Sequence, residues 1–268
     1  KPETVTIYGG PNFNSVDQDI VANPIVNFHI VREGEESFRL LLESLIGNNL
    51  VVDSGIVESL PSTIFVFDRD SCNLINNPLL PMDRLDLSQL TSPYLSGLMD
   101  PFLEDDRLAP IIETNRGCPY SCFYYCVYPL QQGRKLRLKS PKRLLEEMIH
   151  FNKTLNVSNF LFRDPVFSID RRHTVEICNE IIDSKYKFNI GVETHLKNID
   201  HDLAKLLRKA GVKLMYVGIE SGDEEVRKDA NRASDTNLNQ IEKVKFLEKT
   251  GIKVKAMYII GMPADTDS

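Results

Sequence analysis

Cys118, Cys122 and Cys126 lie in the single stretch GCPYSCFYYC, so three of the chain's five cysteines share nine residues. Thiols gathered this closely serve a short list of chemistries. A tetrahedral zinc site takes four Cys or His ligands, commonly as C-x2-C pairs. Here the spacing is C-x3-C-x3-C, and His150, His173, His195, Cys72 and Cys178 all belong to other segments. A disulfide would leave one thiol over, and five cysteines do not make the even framework of a small secreted domain. Cysteines at i, i+4 and i+8 would also suit the buried face of a helix entered at Pro119, since free Cys is a common core residue. An iron–sulfur cluster suits the set best. Thiolates are its usual ligands, and three of them leave one iron open to a ligand that is not protein. Gly117 and Pro119 bend the chain, while Tyr120, Phe123, Tyr124 and Tyr125 can screen such a body from water.

A loop with that task needs a rigid platform. From Ile111 onward, short apolar runs alternate with helix signals: IIET at 111, NFLF at 159–162, FNIGVE at 188–193, LMYVGIE at 214–220 and VKAMYIIG at 254–261. Between them lie Ser140-Pro141 as a helix opening, a second helix near Asp170, a third from Asp200 to Gly211, and a fourth around 236–249 that ends at Gly251. Largely apolar strands alternating with helices predict a parallel sheet or barrel of the α/β class. In such folds the C-terminal strand ends form the functional face. Those ends carry Asn115 and Arg116 with the cysteines, then Asp164, Glu193, Glu220-Ser221-Gly222 and Gly261-Met262-Pro263. One acidic residue in a loop says little; the set, with three cysteines, predicts a common mouth.

The first part of the chain reads differently. A strand at 5–8, Gly9-Gly10, a short helix, a strand at 25–31 and a helix over 33–47 resemble the back end of a Rossmann-like domain. Residues 56–108, rich in Pro and turn signals with one hairpin, read as a linker to a second domain over 109–268. The lack of a starting Met and the abrupt ends suggest a piece of something longer. No apolar run is long enough for a membrane span. A net charge of −6 argues against a broad nucleic-acid surface. Unpaired cysteines suggest a reducing, cytoplasmic setting.

GCPYSCFYYC after a strand resembles the cluster loop of the radical S-adenosylmethionine (SAM) enzymes, which usually reads C-x3-C-x2-C with an aromatic before the last cysteine. This chain has that aromatic, Tyr125, and one additional residue between Cys122 and Cys126. The resemblance implies a partial (β/α) barrel of about six strands, five of them present here. It implies that Cys118, Cys122 and Cys126 bind a [4Fe–4S] cluster and that SAM chelates the open iron. SAM is then cleaved to methionine and a 5′-deoxyadenosyl radical. VGIESG is similar to the family's ribose-contact segment, pointing to Glu220 and Ser221. YIIGMP is similar to its adenine segment, pointing to Ile260 and Gly261. Asp164 falls where the family contacts SAM's amino group, Glu193 where polar SAM contacts lie, and Arg232 is a candidate for the SAM carboxylate.

VTIYGGPNF, IVREGEESFRLLLE and SPYLSGLMDP together resemble the cobalamin-binding members of that superfamily. There the Gly-Gly turn, here Gly9 and Gly10, lets the backbone approach the corrin tail. On this resemblance residues 1–55 are the C-terminal part of a cobalamin-binding domain. The implied reaction is methylation of an unactivated carbon in a small-molecule substrate, with flavodoxin or ferredoxin as electron donor and with sensitivity to oxygen. Cyclases and other oxidoreductases share the architecture. A methylthiotransferase fits less well, because Cys72 is the only cysteine ahead of the loop. The non-enzyme alternative is a degenerate or structural iron–sulfur protein, favoured by the extra residue before Cys126.

Overall fold

The computed structural model describes residues 4–10, 26–51, 54–68, 73–81, 84–105, 107–122, 126–232 and 235–265. The chain divides into two compact units, residues 1–84 with 127–134 and residues 85–126 with 135–268. Among the described residues no helix is long and apolar enough to cross a membrane.

In the first unit, strands β1 (Ile7–Gly9), β2 (Phe28–Ile30), β3 (Thr63–Asp68) and β4 (Asn73–Asn76) form one sheet in that order. β1 and β2 are parallel, whereas β3 runs antiparallel to both β2 and β4. Residues 63–68 and 73–76 lie in the stretch read from sequence as linker, yet they build half of this sheet. The run Thr-Ile-Phe-Val-Phe is β-branched and aromatic, and that preference prevails over the turn-rich flanks. Helix α1 (Glu35–Gly47) buries Ser37, Leu41 and Leu45 at a four-residue spacing, which is one helical face. Leu41 and Leu45 join Phe28, Ile30, Leu60 and Val57, the last from helix α2 (Ser54–Ser59), in a small core.

The second unit holds the larger core. β5 (Ile111–Ile112) leads to β6 (Asn115–Arg116), which pairs antiparallel with β7 (Arg137–Leu138), so the cysteine loop is carried on a two-stranded ribbon. The main sheet adds β8 (Asn159–Phe162), β9 (Asn189–Thr194), β10 (Val212–Glu220) and β11 (Lys253–Tyr258). Its order is β11-β10-β9-β8-β5, and every pairing is parallel. This is the five-stranded α/β arrangement expected from the alternating runs.

Helices α3 (Pro141–Leu155), α4 (Arg171–Asp183), α5 (His201–Ala210), α6 (Glu224–Asp229) and α7 (Asn237–Thr250) make the crossovers. Their starts follow capping chemistry: Asp170, Asp200 and Thr236 accept main-chain N–H bonds from His173, Leu203 and Asn239. Ser140 occupies the cap before Pro141 without a side-chain cap bond. Gly211 closes α5 at φ 108°, and a Cβ there would collide with the Phe188 carbonyl oxygen. Phe160, Phe162, Ile190, Val192, Met215 and Val217 of the strands pack against Leu144, Met148, Ile177, Leu203, Leu207 and Leu247 of the helices. β11 is mostly exposed along its length.

Candidate functional site

The parallel strands of the second unit end along one edge, where the sequence gathers its polar residues. Two residues past β8, Asp164 is fully buried. Its Oδ1 accepts the main-chain N–H groups of Thr114 at 2.6 Å and Asn115 at 2.9 Å. Oδ2 accepts the Thr114 hydroxyl at 2.7 Å. Burial pushes its pKa to about 7, against the pull of those hydrogen bonds. Asp164 therefore anchors the backbone that leads into the cysteine loop, and the loop's own approach strand engages both of its oxygens.

The loop begins after Arg116, whose guanidinium pairs with Glu113 at 2.8 Å, and turns at Gly117 with φ 98°. Cys118 is buried, Cys122 and Cys126 are half-buried, and none of the three forms a disulfide. Burial pushes the Cys118 thiol up. The Tyr120 main-chain N–H opposes this, the neighbouring Cys126 and Cys122 add to it, and Arg232 works against it. All three sulfurs and one guanidinium thus share an electrostatic neighbourhood. Among the described residues no three His, Cys, Asp or Glu side chains converge on a single ion position. Three separate thiols on one loop match the donor set of an iron–sulfur cluster. Tyr125, together with Phe123 and Tyr124, lies outside the described residues.

The stretch after β10 reaches over to this loop. Asn231 Nδ2 donates to the Ser121 carbonyl at 2.7 Å, and Arg232 Nη1 donates to Cys122 Sγ at 3.6 Å. Arg232 Nη2 also donates to the Gly218 carbonyl at 3.1 Å and pairs with Glu220 Oε1 at 3.1 Å. Burial raises the Glu220 carboxyl, and Arg232 draws it back. Glu220 is held at φ 70°, left-handed backbone that costs a non-glycine residue about 1–3 kcal/mol. A Cβ on Gly218 would collide with Glu220 Oε1 and stand 2.6 Å from Arg232 Nη2. Beneath them Arg227, 1% exposed, donates to the Ser221 carbonyl at 2.5 Å and the Asp235 carbonyl at 3.4 Å, binding the two ends of this stretch together.

The neighbouring strand ends complete the mouth. Glu193, near the end of β9, pairs with Arg163, which follows β8. Burial raises its carboxyl and Arg163 opposes the rise. His195 is buried, and its Nδ1 accepts the Lys197 main-chain N–H at 3.1 Å. Burial first, then the positive charges of Arg232 and Lys197, bring its pKa down to about 4, so the ring is neutral. Tyr120 lays its ring 5.7 Å from His195 between centroids and donates its hydroxyl to Asn198 Oδ1 at 3.1 Å. Buried Asn115 Oδ1 and Asn198 Nδ2 have no hydrogen-bond partner among the described residues, which leaves polar atoms open beside the loop. Asn198 also lines a cavity of about 620 Å³ with Lys197, Asp200, His201, Lys243 and Phe246.

The remaining residues singled out from sequence are more dispersed. Ser221 accepts the Asp223 main-chain N–H through its hydroxyl at 3.1 Å. Ile260 is 97% exposed, and Gly261, at φ 86°, donates its N–H to Asp265 Oδ2 at 2.7 Å. Gly9 and Gly10 belong to the first unit. A Cβ on Gly9 would stand 3.3 Å from the Ile30 carbonyl oxygen, whereas Gly10, at φ 116°, faces open space. Asn231, His195, Arg163 and Arg227 were not identified from sequence. The order of the strands was the one available signal for Arg163 and His195, which flank the ends of β8 and β9.

The chain has recognisable relatives among known proteins. The chain is 23% identical over 97% of its length to an uncharacterized methyltransferase of Pyrococcus horikoshii, covering 54% of that protein. It is 22% identical over 99% of its length to the anaerobic magnesium-protoporphyrin IX monomethyl ester cyclase of Rubrivivax gelatinosus, covering 47% of it. The chain thus spans about half the length of these relatives. Its fold superposes with a TM-score of 0.76 on the radical SAM methyltransferase TsrM of Kitasatospora setae, at 18% identity, over 97% of this chain and 52% of that one. The family model of the radical SAM superfamily matches residues 112–268, more than half of the sequence, and these residues contain β8 to β11 and the three loop cysteines. This chain belongs to the radical SAM superfamily.

Proposed function

We propose that the chain forms the core of a cobalamin-dependent radical SAM methyltransferase that acts on an unactivated carbon of a small molecule. The observation that carries this reading is the loop of three cysteines, none in a disulfide, tied to the end of β10 through Arg232 and Asn231. Cys118, Cys122 and Cys126 would hold the [4Fe–4S] cluster. When bound, the cluster supplies an electron to SAM, and cobalamin supplies a transferable methyl group.

The chain's own residues bind, orient and exclude water. Glu193, Glu220, Ser221, Arg232, Ile260 and Gly261 are the proposed SAM contacts, with Asp164 holding the approach to the loop. Gly9 and Gly10 are the proposed approach to cobalamin. In this reading residues 1–55 belong to the end of a cobalamin-binding domain, to which the stretch read as linker adds β3 and β4, and 109–268 form the SAM domain. An external electron donor of the flavodoxin or ferredoxin type and a reducing, cytoplasmic setting complete the proposal.

The test is anaerobic reconstitution of the full-length protein with iron and sulfide, followed by measurement of bound iron, retained cobalamin and 5′-deoxyadenosine made from SAM under strong reductant. Cys122→Ala is expected to lose most of the bound iron and all cleavage. A fully loaded cluster that makes no 5′-deoxyadenosine overturns the enzyme reading. The Rubrivivax relative, named as a cyclase, favours ring closure as a second reading. Transfer of label from methyl-labelled SAM to product separates the two, because cyclisation leaves the label behind.

A further inference from the structure

We infer that Arg232 sets the reduction potential of the iron–sulfur cluster through its hydrogen bond to Cys122 Sγ, with Glu220 as its electrostatic counterweight and Gly218 as the gap that admits both. This rests on the iron–sulfur reading above. Arg232 spreads its donors in a fixed planar fork. Nη1 reaches Cys122 Sγ at 3.6 Å, while Nη2 is held by the Gly218 carbonyl and Glu220 Oε1, each at 3.1 Å. The two ionic side chains are only 13% and 12% exposed, so water screens them weakly.

Reduction adds negative charge to a cluster, and hydrogen bonds to its sulfurs are among the features that set its potential. A guanidinium donating to a ligand sulfur favours the reduced form. A carboxylate behind it works the other way and fixes where the guanidinium points. The residues at this contact are held by unusual backbone: Glu220 sits at φ 70°, and Asn231, which precedes Arg232, at φ 49°.

Gly218 is the third part. It lies within β10 at a backbone angle that alanine also adopts, so its requirement is one of space. The volume its missing Cβ leaves is taken by Glu220 Oε1 and Arg232 Nη2. Gly218→Ala would push the pair away from its place without changing any charge.

The experiment is an EPR-monitored redox titration of the reconstituted full-length protein and of Arg232→Met, Arg232→Lys, Glu220→Gln and Gly218→Ala, with iron content and thermal melts run alongside. Arg232→Met and Gly218→Ala are expected to lower the midpoint potential, Glu220→Gln to raise it, and Arg232→Lys to fall between Arg232→Met and the wild type. Opposite signs for Arg232→Met and Glu220→Gln cannot come from general loosening of the fold. Unshifted potentials, or shifts of one sign in both, overturn the inference and leave the iron–sulfur reading standing. So does loss of cluster from every variant at an unchanged melt, which would assign Arg232 to assembly. A wild-type protein that takes up no cluster overturns the iron–sulfur reading itself.

Discussion

Asp164 and Thr114, fifty positions apart, are joined twice: the carboxylate accepts the Thr114 main-chain N–H at 2.6 Å and its hydroxyl at 2.7 Å. A third bond comes from the Asn115 N–H at 2.9 Å, and all three residues are buried. Removing the carboxylate strands three donors out of reach of water, and an unsatisfied buried donor costs about 1–3 kcal/mol. Asp164→Ala is therefore expected to destabilise the second unit by about 3 kcal/mol or more near pH 6, as read by urea denaturation. Thr114→Val, which removes one donor and keeps the shape, is expected to cost less. Equal costs for the two would mean that the Asn115 bond and the main-chain bond contribute nothing.

The same carboxylate gives the fold a pH dependence of defined sign. Its pKa rises from 3.8 in the unfolded chain to about 7 when buried. Between those values the folded state binds the additional proton, so stability falls as pH rises. The contribution is fully present below about pH 4 and lost as pH climbs through 7. Asp164→Asn, which cannot ionise, is expected to gain on the wild type by about 4 kcal/mol between pH 4 and pH 8. Denaturation midpoints of the two proteins that stay parallel over that range would show that the carboxylate is charged throughout.

His195 works in the opposite direction. Burial, assisted by Arg232 and Lys197, lowers its pKa from 6.5 to about 4. The unfolded chain binds the proton first, so the stability present above pH 6.5 is lost as pH falls towards 4. His195→Asn keeps an acceptor for the Lys197 N–H and removes the titration. The variant is expected to lose about 2–3 kcal/mol less than the wild type between pH 7 and pH 4, measured by chemical denaturation. A wild type as tolerant of acid as the variant would place the ring in water.

What sequence revealed, and what it hid, follows from how far apart the interacting residues stand. The five parallel strands were legible because Phe160, Ile190, Val192, Met215 and Val217 belong to short apolar runs separated by capped helices. Strand order then placed Glu193, Glu220 and the cysteines along one edge. The ties that hold the edge were not legible. Thr114 to Asp164, Asn231 to Ser121 and Arg232 to Cys122 span 50, 110 and 110 residues, and no local pattern marks them. Arg227 carries no sequence signal of its place, yet it is 1% exposed and holds two carbonyls. The hairpin read within residues 56–108 has its counterpart in the antiparallel pair β3–β4, but the pairing of β3 with β2, some 35 residues away, has no local signal.

Asn231 joins the cysteine loop to the β10 stretch in two ways that substitution can separate. Its side chain donates to the Ser121 carbonyl at 2.7 Å, and its backbone sits at φ 49°. Asparagine and glycine tolerate that left-handed conformation, whereas alanine loses about 1 kcal/mol there. Asn231→Gly should remove the hydrogen bond alone, worth about 0.5–1.5 kcal/mol. Asn231→Ala should remove the bond and strain the backbone as well, for a total of about 2 kcal/mol. Amide hydrogen exchange at 117–122 is expected to quicken in both variants, since the loop loses the same tie, while global stability falls further in Asn231→Ala. Exchange in that loop that quickens only with alanine would mean that backbone strain, and not the bond to Ser121, governs its order.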